Sequence, residues 1–114
     1  CYKNNGLDEF PIDSGRGLVT LNPLDNFKFK VPSIRNIEYS APYMHDGRFN
    51  TIDQVIDFYS TGIHANSPNI DPLIEFASQG GVQLNPTERL QLKAFLITLS
   101  DSSFINNPDF SNPF

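Results

Sequence analysis

Three side chains in residues 40–59, SAPYMHDGRFNTIDQVIDFY, can do chemistry that most of this chain cannot. Met44 offers a soft thioether, His45 an imidazole, and Tyr59 a phenol. With one Met and two His in 114 residues, placing the Met beside a His is a concentration of scarce groups. The segment is either a ligand-bearing site or a well-capped helix with a turn-rich approach, and the residues alone leave both open. Taken singly, Tyr59 reads as a core tyrosine with its hydroxyl bonded to backbone, and Met44 as a gap-filler beside an aromatic. His45 reads as a brace for the turn from Pro42 to Gly47. His64 stands in a polar loop, and a zinc site built from Cys1, His45 and His64 has no recognised ligand spacing. Arg35, in SIRN, either binds a carboxylate through its planar fork or ties its own loop together.

The elements that must position these groups are few. Thr51 opens a helix whose capping box closes through Gln54, and Ile52, Val55, Ile56 and Tyr59 fall on one face before Gly62 ends it. Asn85 caps a second helix with Pro86 at its first position and Glu88 completing the box. Leu92, Phe95, Leu96 and Leu99 form that helix's stripe, expected to pack on Ile52, Val55 and Ile56. Residues 27–31, FKFKV, alternate like a short half-buried strand that Pro32 terminates. Residues 1–26 hold the turn clusters NNG, DSGRG and NPLDN and read as an irregular leader. Residues 60–83 form a long connection with one helical turn at 72–77. The tail, SSFINNPDFSNPF, is expected to lie extended over the surface with its three Phe in grooves. The sum is a mainly α chain of two short amphipathic helices, one short strand and long loops. That is little regular structure for a self-sufficient domain, so either a cofactor completes the core or the chain is one piece of a larger protein.

Composition narrows the partners. The net charge is −5, with 18% charged and 39% hydrophobic residues. An acidic surface does not suit nucleic acid or an anionic membrane, and no run is long enough to span a bilayer. A single cysteine allows neither an internal disulfide nor an all-cysteine metal site.

The segments FKVPSIRNIEYSAPYMHDGRFNTIDQVIDFYSTG, IDP, LNPTERLQLKAFLITLSD and NPDFSNPF resemble the C-terminal part of the bacterial di-heme cytochrome c peroxidases, a family that includes the MauG-type enzymes. The likeness runs from about Phe27 to the end. It implies a cytochrome c-like fold, of which residues 1–114 are the C-terminal portion of the second heme domain. It also implies heme c as cofactor, a periplasmic location, and a parent reaction that reduces hydrogen peroxide. Family members attach each heme through Cys-x-x-Cys-His. Here Cys1 is followed by Tyr2, Lys3, Asn4 and Asn5, so the motif is expected upstream, and this chain alone is expected to carry no covalent heme and no activity.

Residue by residue, the likeness places Tyr59 where the family's peroxidases carry a Met that ligates the second heme iron. MauG-type enzymes use a tyrosine there. Met44 is the second candidate for that axial position, and His45 and Arg35 are candidates for the heme surroundings, Arg35 at a propionate. The backbone carbonyls of Ser40 and Pro42 match positions that bind calcium between the two domains. No catalytic residue is assigned, because the family's catalytic acid belongs to the first domain. The implied partners are the N-terminal heme domain of the parent and a small redox protein or quinol-type electron donor. The rival is a heme-free interaction module on a cytochrome c-like scaffold, and a Cys-x-x-Cys-His run upstream of Cys1 would decide against it.

Overall fold

The computed structural model describes residues 1–101; the expectation for the tail lies outside them. Two strands, β1 (Tyr2–Lys3) and β2 (Phe29–Lys30), pair antiparallel with Tyr2 opposite Lys30 and Lys3 opposite Phe29. The strand expected over 27–31 is therefore shorter, because Phe27 takes a positive φ of 68° and leaves the extended region. Its partner comes from the leader, which is not irregular as expected. The leader also forms α1 (Arg16–Thr20), and a 3₁₀ turn at Pro23–Asp25 is capped by the Asn22 side chain. Gly17 packs so closely on Asn26 that a β-carbon would collide with that residue's side chain and backbone.

The two helices form where their caps predict. α2 (Ile52–Asp57) carries the Thr51–Gln54 capping box, and α3 (Pro86–Thr98) carries the Asn85–Glu88 box with Pro86 at its start. Short 3₁₀ turns stand at Ile37–Tyr39 and Ala77–Gln79, the second beginning where the helical turn expected at 72–77 ends.

Two small clusters hold these pieces together. Tyr43, Ile52 and Ile56 are buried, with Ile37, Phe49, Val55, Leu84 and Leu96 against them. Leu7, Phe58 and Ile63 form the second cluster, with Met44, Ile70, Ile74 and Ala77 around it and Phe49 packing on both. The stripe expected on α3 is corrected here. Leu96 reaches Ile56's cluster, but Phe95 is 55% exposed and Leu92 37% exposed. Truncating Phe95 therefore removes little buried area in this chain. The reason is geometric: α2 has only six residues and its face is already filled by Tyr43, Phe49 and Leu84.

Candidate functional site

α2 does not continue as an α-helix to Tyr59. From Phe58 to Gly62 the chain widens into a π turn, a feature met often at functional sites. The wider turn changes which side chain faces inward. A regular helix would put Tyr59 on the face of Ile52 and Ile56, as the spacing predicted. Instead Phe58 is buried at 6% exposure and Tyr59 stands 39% exposed, its ring edge-on to Phe58 at 4.8 Å. The phenol is thus held by the core at its base and open at its tip.

At this helix end the last carbonyls have no partner within the helix, and residues 82–84 approach them. Val82 N–H donates to the Tyr59 carbonyl at 3.2 Å and Gln83 N–H to the Ser60 carbonyl at 2.9 Å. The fully buried Ser60 hydroxyl accepts from Leu84 N–H at 2.8 Å and from Arg89 at 3.2 Å. Arg89 also pairs with Asp57, so α3 is tied to the end of α2 through polar groups as well as Leu96.

Met44 and Tyr59 come together, though fifteen positions apart, and the residue between them is one the sequence did not single out. Asn5 Nδ2 donates to Tyr59 Oη at 3.0 Å and lies 3.6 Å from Met44 Sδ. Sulfur can only accept, so the nitrogen, not the oxygen, of the amide must face this side. Met44 itself sits at φ 71°, in the left-handed region that a side chain enters only when its surroundings hold it there. The signal for Asn5 was the NNG cluster. Asn4 is buried and donates to Ser67 Oγ and the Pro68 carbonyl, at 2.9 and 2.6 Å, while its own Oδ1 accepts from Gly6 N–H. With Asn4 anchored inward, Asn5 is left to face Tyr59.

The remaining candidates lie around this centre in different roles. His45 stacks on Phe29, ring centroids 3.9 Å apart and 10° from parallel. It joins the Met44 turn to β2 by stacking, where a hydrogen-bonding brace was the expectation. Arg35 forms an ion pair with Asp101 at 3.6 Å. Ser40 and Pro42 are exposed, and among the described residues neither carbonyl accepts a hydrogen bond. Cys1 and His64 are also exposed, and among the described residues no three His, Cys, Asp or Glu side chains form a metal-binding group.

Arg48 locks the leader onto this turn. It grips Asp8 with two parallel bonds of 2.8 and 2.7 Å, and Asp46 with bonds of 2.9 and 2.7 Å. The Arg48 hydrogen bonds hold both carboxyls below the usual carboxylate range, and the two carboxylates hold the guanidinium above its own. A depressed carboxyl contributes stability above its unfolded pKa, near ~3.9, and loses it as pH falls through the lower folded value. Both carboxyls are about a third exposed, so solvent keeps the gain to about 1 kcal/mol. Thermal melts between pH 6 and pH 2 should therefore show an acid-side loss that Arg48→Met makes smaller; equal slopes in both proteins would refute the clamp.

No family model matches the sequence. The cytochrome-c peroxidase IdrP2 of Denitromonas iodatirespirans is 40% identical over 102 residues, 87% of this chain and 25% of that protein. The methylamine utilization protein MauG of Paracoccus denitrificans is 32% identical over 98 residues, 73% of this chain and 25% of that protein. The crystal structure of a MauG-like protein associated with microbial copper homeostasis superposes with a TM-score of 0.76 at 40% identity. That superposition covers 98% of this chain and 38% of the other. The chain spans about a quarter of the length of the curated relatives it matches.

Proposed function

Because this chain belongs to the cytochrome-c peroxidase and MauG family over the length it spans, we propose that it forms the distal side of the second heme site in a longer di-heme oxidoreductase. The observation that carries the reading is the half-exposed phenol of Tyr59, set in a π turn and held at its oxygen by Asn5. The donor set fits a heme iron. A phenol oxygen is a hard ligand used in heme proteins, and a thioether sulfur, its usual alternative, lies on the same amide. Bound heme would supply the electron-transfer chemistry of such a site.

The chain's own residues then have distinct tasks. Tyr59 Oη is the atom that would hold the iron, having given up its proton. Phe58 and the carbonyl contacts from Val82 and Gln83 fix the backbone that aims it. Met44 packs on the Leu7, Phe58 and Ile63 cluster, which keeps its sulfur in the second place. His45 and Arg35 contribute to the surroundings, His45 by securing the turn and Arg35 as a candidate for a propionate. The exposed carbonyls of Ser40 and Pro42 suit a hard cation such as calcium, with the other ligands supplied from beyond this chain. Half-exposed apolar groups such as Val82, Leu92 and Phe95 support a core completed by porphyrin and by further protein.

The parent would reduce hydrogen peroxide, or use it to oxidise another substrate, drawing electrons from a small redox protein or a quinol-type donor in the periplasm. No helix among the described residues is long and apolar enough to cross a membrane. Expressing the gene that encodes this chain under c-type maturation tests the reading. The longer product should carry covalent heme and consume peroxide with a reduced donor, while these 114 residues alone should be colourless. A longer product without a Soret band would replace this reading with the heme-free interaction module. A stoichiometric Soret band on the 114 residues that survives acid–acetone extraction would also overturn it.

A further inference from the structure

We propose that Asn5 is a positioning residue that holds Tyr59 as the axial donor and tunes its strength, an inference that rests on the heme-site reading above. A primary amide nitrogen carries two hydrogens. In this fold one nitrogen serves two acceptors of opposite character, a phenol oxygen at 3.0 Å and a thioether sulfur at 3.6 Å. The contact to sulfur is the longer of the two and leaves a sulfur lone pair free, so the oxygen is the acceptor on which Asn5 acts most. The contact to oxygen leaves the phenol's own proton directed away from the amide, toward its open side.

Asn5 is itself rigidly presented. On one side Asn4 is buried and bonded to Ser67 and Pro68, and its carbonyl accepts from Asp71 N–H at 2.9 Å. On the other side Gly6 sits at φ 75°, where a β-carbon would come within 2.8 Å of Ile63 and 2.9 Å of Ile70, and its carbonyl accepts from His64 N–H. The leader is therefore stitched to the 63–71 loop on both sides of Asn5. An outer-shell partner held this firmly tunes its ligand: donation to the oxygen draws electron density from it and weakens its preference for ferric iron.

The test has two arms. In the longer protein, the Asn5 side-chain amide resonances should shift in Tyr59→Phe and again in Met44→Leu, because one nitrogen touches both groups. In the heme-loaded longer protein, Asn5→Leu should raise the ferric preference about tenfold, a potential lower by about 59 mV for one electron. Asn5→Asp keeps the shape, cannot donate when ionised and adds negative charge, so its potential should fall at least as far. That isosteric variant keeps the test valid if Asn5→Leu does not fold. Amide resonances indifferent to both substitutions would overturn the proposal. So would unchanged potentials in both Asn5 variants while Tyr59→Phe alters the heme spectrum, and the heme-site reading would then stand. A heme spectrum untouched by Tyr59→Phe would end that reading and the role of Asn5 with it.

Discussion

If Tyr59 ligates the heme iron of the longer protein as proposed, replacing it with methionine should raise the heme potential and shift the resting protein toward ferrous iron. Soft sulfur favours the reduced state and hard phenolate oxygen the oxidised one. Axial-ligand identity is among the features that spread heme potentials over roughly 0.8 V, so the change should be large on that scale. Tyr59→Phe should instead leave the iron without its donor oxygen, changing its spin state. Met44→Leu should do neither, because its side chain packs on Phe58 and Leu7. Redox titration with visible and electron paramagnetic resonance spectra of the three variants measures this. If Tyr59→Phe kept an unchanged low-spin signal and Met44→Leu lost it, Met44 would be the ligand. The two side chains meet on one amide, so this comparison decides between them.

What the sequence disclosed about this site follows the range of the interactions involved. Both capping boxes and the Pro86 start are contacts between residues three apart, and both helices begin where those contacts predict. The resemblance located Tyr59 and Met44 through a motif, and relatives at 32–40% identity support the same family. What escaped was non-local. The π turn is met by residues 82–84, which supply N–H groups to the Tyr59 and Ser60 carbonyls and to the Ser60 hydroxyl, and nothing in TIDQVIDFYSTG signals that supply. Helical spacing therefore put Tyr59 inside, where Phe58 stands. Asn5 escaped for the same reason, since an Asn-Asn-Gly run reads as a turn until Ser67, Pro68 and Asp71 are known to bind Asn4. The α3 stripe failed differently: its spacing was right, but α2 is too short to cover Leu92 and Phe95.

The contact of the π turn with its neighbour leads to the second large effect. Gly81 has φ 143°, a conformation hostile to a side chain, and a β-carbon there would strike the Tyr59 and Ser60 carbonyl oxygens. Neither oxygen can retreat without breaking the bonds from Val82 and Gln83 that accommodate the widened turn. Backbone strain of roughly 1–3 kcal/mol and overpacking of similar size combine, so Gly81→Ala should destabilise the chain by about 2–6 kcal/mol. Gly62→Ala is the control. It lies in the same turn without a positive φ, and its added carbon would come within 3.2 Å of the Phe58 side chain instead of within 2.5 Å of backbone oxygens. Urea denaturation of the two variants should separate them clearly. In whatever fraction of Gly81→Ala remains folded, Tyr59 should lose its contact with Asn5, visible as a shift of that side-chain amide. A Gly81→Ala protein with the parent's midpoint and an unmoved Asn5 resonance would mean that residues 81–84 do not hold the turn. The exposure of Tyr59 would then need a cause within residues 52–62 themselves.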